Sequence, residues 1–267
     1  MAKLETWVQD RTFVMRLNRP EVRNAVDGET AEALGAAWER FRDDDDLWVA
    51  VLTGTGDKAF CAGADLGAVE TLGPGPDARP SEIRRFVSHG PGYLGNTRMT
   101  DIFKPILAAV NGDALAGGLE LACLADIRVA ESQARFGVAC RRFNVPLCDG
   151  GTQRLPRIVG MGRAMELILT GRFIDATEAL GMGLVNEVVA PGAGLARALE
   201  LAGSLCRLPQ GAMRSDKQAA VEGFGRPLEE GLRIEAELAQ YAIRGRDLAE
   251  GAAAFKGKRA PGFAQED

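Results

Sequence analysis

The spacing of apolar positions divides the chain into two regimes. Up to residue 189, short apolar runs alternate with helical stretches. From residue 192 onward only helical spacing remains. "TFVMRLNRP" alternates apolar and polar side chains and predicts a strand ending at Pro20. Residues 29–42, "ETAEALGAAWERFR", carry apolar positions at helical spacing, and the acidic run Asp43 to Asp46 reads as a solvated turn at the helix end. "LWVAVLTGTG" and "PILAAVNGDA" predict buried strands running into glycine turns, and "DIRVAES" and "LVNEVVA" predict two more strands. "AFCAGADLGAVE" predicts a turn leading into a helix, and "GGLELACLA" predicts the start of another. Residues 73–80, "GPGPDARP", exclude regular structure and predict a flexible loop over a site. "LPRIVGMGRAMELILTG" is helical with a break near Gly160 to Gly162. Asp175, with Glu178 three residues on, has the spacing of a capping box. Further helices are predicted over 194–207, 210–222, 227–243 and 246–256. This order implies an α/β core with right-handed crossovers, followed by a helical C-terminal part.

Composition narrows the class. A chain of 267 residues, 46% of them hydrophobic, can bury one large core with an appendage. The net charge is −5 and both signs are spread along the chain, which argues against a nucleic-acid partner or a basic membrane anchor. A small basic cluster near the end, Lys256, Lys258 and Arg259, is the exception. There is no run of eighteen apolar residues, and the opening "MAKLETWVQD" lacks an apolar signal core, so a cytoplasmic protein without a membrane partner is expected. The five cysteines (Cys61, Cys123, Cys140, Cys148 and Cys206) are odd in number and form no CxxC pair. They predict reduced thiols and no metal site. His89 is the sole histidine. It stands in "SHGPGYLG", which predicts a solvated loop residue and not a triad member.

Two glycine turns share a chemical logic. "CAGAD" presents the backbone N–H of Ala64, and "LAGGLEL" presents that of Gly117 at a helix start. Glycine permits close approach to a ligand, and free N–H groups at a helix N-terminus favour a developing oxyanion. Each turn alone is also an ordinary strand-to-helix connection. Neither matches GxGxxG or GxxxxGK[ST], so a dinucleotide or P-loop reading has no support.

A longer set of motifs sharpens this. "NRPEVRNAV", "FCAGADL", "KPILAAVNGDALAGGLELACLADIRVA", "GGTQRLPRIVG", "LTGRFIDATEALGMGLVNEVV" and "EGAAAFKGKRAPGF" occur in order across nearly the whole chain. They resemble the enoyl-CoA hydratase/isomerase (crotonase) family. The resemblance implies an α/β spiral of ββα units over 1–191, with a helical region over 192–267 that mediates assembly into a homotrimer or a dimer of trimers. It also implies an acyl-CoA thioester substrate, with coenzyme A as part of that substrate and no separate cofactor. Ala64 and Gly117 would then form the oxyanion hole that holds the thioester oxygen. Arg23, Ala25, Ala62, Gly63, Asp65 and Leu66 fall where the family grips CoA, and Lys256 and Phe263 fall where it contacts the CoA nucleotide.

Family hydratases use two glutamates around one water. Glu120 matches the first, one turn into an otherwise apolar helix with no partner evident in the sequence; partial burial there would raise its pKa and suit it to proton transfer. The second belongs to an F-G-x-x-E pattern, but this chain reads Phe136, Gly137, Val138, Ala139, Cys140. The spacing to the following Gly-Gly-Thr is kept, so no gap restores an acid. A thiol accepts hydrogen bonds less well than a carboxylate does. Several readings stay open: Glu120 as lone acid/base, Asp149 in "LCDGGT" as a substitute catalytic acid, a catalytically weak acyl-CoA-binding homologue, or Cys140 as a nucleophile.

Overall fold

The computed structural model describes residues 2–75 and 77–263. A hairpin opens the chain, with β1 (Leu4–Gln9) antiparallel to β2 (Thr12–Leu17). Asp10 adopts a left-handed conformation (φ 53°) in its two-residue turn. Helix α1 (Gly28–Asp43) starts where the Asp27 carboxylate accepts the Thr30 N–H at 2.9 Å. Its Leu34, Trp38 and Phe41 form one fully buried stripe.

Three strand pairs follow: β3 (Val49–Gly54) with β4 (Ala59–Cys61), β5 (Ile106–Val110) with β6 (Asp113–Leu115), and β7 (Ile127–Glu131) with β8 (Arg135–Gly137). With β9 (Phe173–Asp175) and β10 (Glu187–Val189) they complete two sheets among the described residues. The larger has six strands in the order β1-β2-β3-β5-β7-β10, and the smaller has four in the order β4-β6-β8-β9. Each pair gives its first strand to the larger sheet and its second to the smaller, so the chain winds as a spiral. The runs "VAVLTG" and "ILAAV" are buried at every position, as parallel strands covered on both faces require.

The intervening helices are α2 (Pro80–His89), α3 (Gly117–Leu124), α4 (Gly151–Val159), α5 (Met161–Thr170) and α6 (Ala176–Gly181). Gly160, at φ 82°, makes the predicted break between α4 and α5. Asp175 caps α6 by accepting the Glu178 N–H at 2.8 Å, while the Glu178 carboxylate turns to Arg172 and does not close a box.

Residues 80–89 correct one expectation. Pro80 occupies the first turn and Glu82 accepts the Arg79 N–H at 2.9 Å, so the chain regains helical form there and His89 ends α2 instead of lying in a loop. No residue of α2 is buried. Its tethers are the Phe86 ring, edge-on to Tyr93 with centroids 4.9 Å apart, and Arg98, which donates to the Phe86 and Val87 carbonyls at 3.2 and 3.1 Å.

After β10 come α7 (Gly194–Cys206), α8 (Gln210–Gly223), α9 (Leu228–Ile243) and α10 (Arg246–Gly257). Ala198 and Ala202 of α7 seat on Val14, Val49, Val51 and Leu107 of the larger sheet. Beyond α7, Phe224, Leu228, Leu232, Tyr241 and Phe255 are exposed. Among the described residues no helix is long and apolar enough to cross a membrane.

Candidate active site

The two glycine turns meet. A Cβ at Gly118 would stand 1.9 Å from the Cys61 carbonyl oxygen, and one at Gly63 (φ 94°) would stand 2.7 Å from the Gly117 nitrogen. Only glycine permits this approach. The first turn is fixed by a parallel bridge to Val26, whose N–H donates to the Gly63 carbonyl and whose carbonyl accepts the Asp65 N–H, both at 2.8 Å. Since these two groups face Val26, the intervening Ala64 N–H turns to the opposite side. Asp65 holds the far end, accepting from Gly67 N–H at 3.0 Å and Arg19 at 2.9 Å. The second turn holds Ala116 at φ 52° and ψ −121°, so that α3 starts at Gly117. Among the described residues, neither the Ala64 nor the Gly117 N–H has a hydrogen-bond acceptor.

Both turns open on a cavity of about 110 Å³. Ala62, Ala64, Ala116 and Gly117 line one side, and Ala139, Cys140, Val145 and Pro146 another. Leu66 and Phe143 stand at its rim, 46% and 65% exposed. Glu120, Cys148 and Asp149 supply the remaining polar wall. A larger cleft of about 730 Å³, between residues 96–106 and α8, holds neither glycine turn nor Glu120 and shares only Cys148 with this cavity.

Glu120 is 2% exposed. Its Oε1 accepts two backbone N–H groups, Asp149 at 2.9 Å and Gly151 at 2.7 Å. Among the described residues no donor reaches Oε2. One carboxylate edge is therefore clamped while the other stays available in the cavity. Burial, followed by the charge of Asp149, raises its pKa to about 7, against the Gly151 and Asp149 N–H groups and the charge of Arg154. That value is well matched to proton exchange near neutral pH.

Cys140 lies on a short 3-10 turn after β8 and is 6% exposed. Burial, reinforced by the charge of Glu120, raises its pKa, so it stands in the cavity as a neutral thiol and not as a nucleophile. The charge and backbone N–H of Arg141 oppose this rise and are outweighed; the Arg141 side chain donates to the Ile168 carbonyl, and Arg142 lies over the Phe173 ring. Burial likewise pushes the Cys148 thiol to about 12. All five cysteines are free, and among the described residues no cluster of His, Cys, Asp or Glu could hold a metal ion.

Asp149 is 3% exposed and lines the same cavity. Its Oδ1 accepts the Leu94 N–H at 3.2 Å and the Thr97 hydroxyl, and its Oδ2 accepts the Cys148 thiol at 3.7 Å. Leu94 and Thr97 carry no motif in the sequence. Of the other expected contacts, Ala25 is buried, and exposed Arg23 gives its carbonyl to the Ala62 N–H at 3.0 Å, so "RNA" serves as scaffold for the first turn. Lys256 is exposed and Phe263 half-buried; neither lines the cavity of the single chain.

A spiral α/β fold that brings two unengaged N–H groups and one clamped, buried carboxylate to one small cavity has the arrangement used by enzymes that polarise a carbonyl beside an acid/base. Comparison with known proteins specifies which. The model of the family described as enoyl-CoA hydratase/isomerase matches residues 8–266, and the chain belongs to that family. It is 37% identical to (E)-benzylidenesuccinyl-CoA hydratase of Thauera aromatica over 96% of each chain. It is also 37% identical to crotonyl-CoA hydratase of Syntrophomonas wolfei, over 96% of this chain and 95% of that one. The crystal structure of an enoyl-CoA hydratase from Bacillus anthracis superposes with a TM-score of 0.86 at 34% identity, covering 99% of this chain and all of the other.

Proposed function

We propose that the enzyme moves a proton on an enoyl-CoA thioester through an enolate, as hydration or as double-bond migration. The thioester oxygen accepts from the Ala64 and Gly117 N–H groups, which stabilise charge as it develops on that oxygen. Glu120 Oε2 exchanges the proton, while Oε1 stays clamped and fixes the carboxylate plane. Neutral Cys140 leaves Glu120 as the group that handles it. The observation that carries this reading is the unengaged Oε2 edge in one cavity with two unengaged N–H groups. Leu66 and Phe143 would guide the acyl group inward from an apolar rim. Arg23, Ala62, Gly63 and Asp65 would lie along the CoA path, and Lys256 and Phe263 would reach the nucleotide in the assembled enzyme. CoA is then part of the substrate, and no separate cofactor enters the reaction. The exposed apolar side chains beyond α7 support assembly of the 192–267 region into a homotrimer or a dimer of trimers in the cytoplasm.

The test is turnover of a panel of 2-enoyl-, 3-enoyl- and 3-hydroxyacyl-CoA thioesters by the wild type and by Glu120→Gln. Wild-type turnover of at least one class is expected, with a loss of about 100-fold or more in the variant. Equal rates in both would remove Glu120 from the chemistry. Tight thioester binding without any turnover would make the protein an acyl-CoA binder.

A further inference from the structure

Asp149 is bound on every side, and its contacts run to two different parts of the molecule. Its backbone N–H donates to Glu120 Oε1 at 2.9 Å. Its carboxylate takes the Thr97 hydroxyl and the Leu94 N–H, from the segment that follows α2. Arg154 closes the loop, donating to the Asp149 carbonyl at 3.2 Å and to the Thr97 carbonyl at 2.8 Å. We propose that Asp149 is a positioning residue that acts through Glu120. Its N–H holds one edge of the acid, and its carboxylate acts on the acid through its charge. Thr97 and Leu94 tie that charge to the segment after α2. This rests on the reading of Glu120 as the proton-moving group.

Asp149 is poorly placed to act on substrate itself, since two donors occupy Oδ1 and the Cys148 thiol faces Oδ2. Its effect on Glu120 is electrostatic. The charged or titratable groups around Glu120 are Asp149, Arg154 and the thiols of Cys123, Cys140 and Cys148. All three thiols are held neutral by burial, so within that set it is the charge of Asp149 that raises the Glu120 pKa. The Thr97 hydroxyl partly neutralises it. A shift of residues 92–97 that withdraws the hydroxyl strengthens the field on Glu120 and tightens its hold on the proton. The segment after α2 and the acid are thereby coupled.

The test compares Asp149→Asn, Thr97→Val and Thr97→Ser. One readout is the infrared titration of the protonated Glu120 carboxyl in substrate-free protein, with Glu120→Gln as the blank. The other is the pH profile of kcat/KM on the best thioester of the panel. Asp149→Asn is expected to lower the Glu120 midpoint by about one pH unit in both readouts. Thr97→Val raises it, and Thr97→Ser, which keeps the hydroxyl, returns it to the wild-type value. An unmoved midpoint in folded Asp149→Asn and Thr97→Val overturns the proposal. So does a fall in kcat at an unchanged midpoint, which would make Asp149 a group that meets substrate. If no thioester turns over, the functional reading fails, while the infrared titration still decides the role of Asp149.

Discussion

Glu120 should make the stability of this fold fall as pH rises, the reverse of an ordinary salt-bridged carboxylate. In the unfolded chain its side chain titrates near the ordinary glutamate value of 4.5; in the native protein, burial and then the charge of Asp149 raise it to about 7. The native state therefore holds this proton more tightly. Below about pH 4.5 both states are protonated and the group contributes no difference. Between about 4.5 and 7 the unfolded chain has released the proton while the native protein keeps it, so stability declines with pH. Above about 7 both are ionised and the whole penalty is present, about 3 kcal/mol at about 1.4 kcal/mol per pH unit.

Glu120→Gln removes the titration, and its amide oxygen can still accept from Asp149 and Gly151. Urea unfolding followed through the buried Trp38 supplies the measurement, at one protein concentration and across about pH 4.5 to 8. Carboxylates elsewhere titrate alike in both proteins and cancel in the difference. The variant should gain about 3 kcal/mol on the wild type between the two ends of that range, most of it between about pH 5 and 7. A difference that stays constant with pH would refute a buried Glu120 that keeps its proton to neutrality.

Gly118→Ala should lose at least about 3 kcal/mol of stability, the upper end for overpacking, because its Cβ would stand 1.9 Å from the Cys61 carbonyl oxygen; thermal unfolding and turnover measure the two consequences together. Cys140→Glu should raise hydration of a short 2-enoyl-CoA by about 10-fold or more, followed as loss of enoyl absorbance, and an unchanged rate would mean that water does not sit beside this position.

What the sequence made legible depended on length and on local signals. The strands β3 and β5 are built on continuous apolar runs, β7 keeps apolar positions between its charged ones, and the C-terminal helices carry enough turns for their ends to fall within a residue or two of the expected positions. The strands β6 and β8 have three residues each, too short for a period of two to register, so the second sheet and the spiral winding were not evident from spacing. Pro80 read as the end of the 73–80 loop and His89 as a loop residue, although a proline at a helix start is favourable. At the site, the glycine turns and Glu120 stood out because each breaks its local pattern. The partners of Glu120 did not. They are backbone N–H groups 29 and 31 residues away, and a backbone donor leaves no mark in residue identity. Thr97 and Leu94 were hidden for a related reason: their contact with Asp149 spans more than fifty residues and follows no motif.

The thiol at position 140 is more than a missing acid. Asp149 and Glu120 already line one cavity of about 110 Å³, and the charge of Asp149 helps raise the Glu120 pKa to about 7. A carboxylate in place of Cys140 would be a third in the same space, and like charges so close cannot all ionise at neutral pH. With a neutral thiol there, the Asp149 carboxylate keeps its Thr97 and Leu94 donors and no third charge is added beside Glu120. The second carboxylate has in effect moved from the arm after β8 to the turn before α4, and its chemical role moves with it. A family hydratase places its second glutamate against the same water as the first. On the role proposed for Asp149, the second carboxylate of this chain would reach substrate only through the protonation of Glu120, and the reaction would depend on one movable proton and on the segment that holds Asp149 in place.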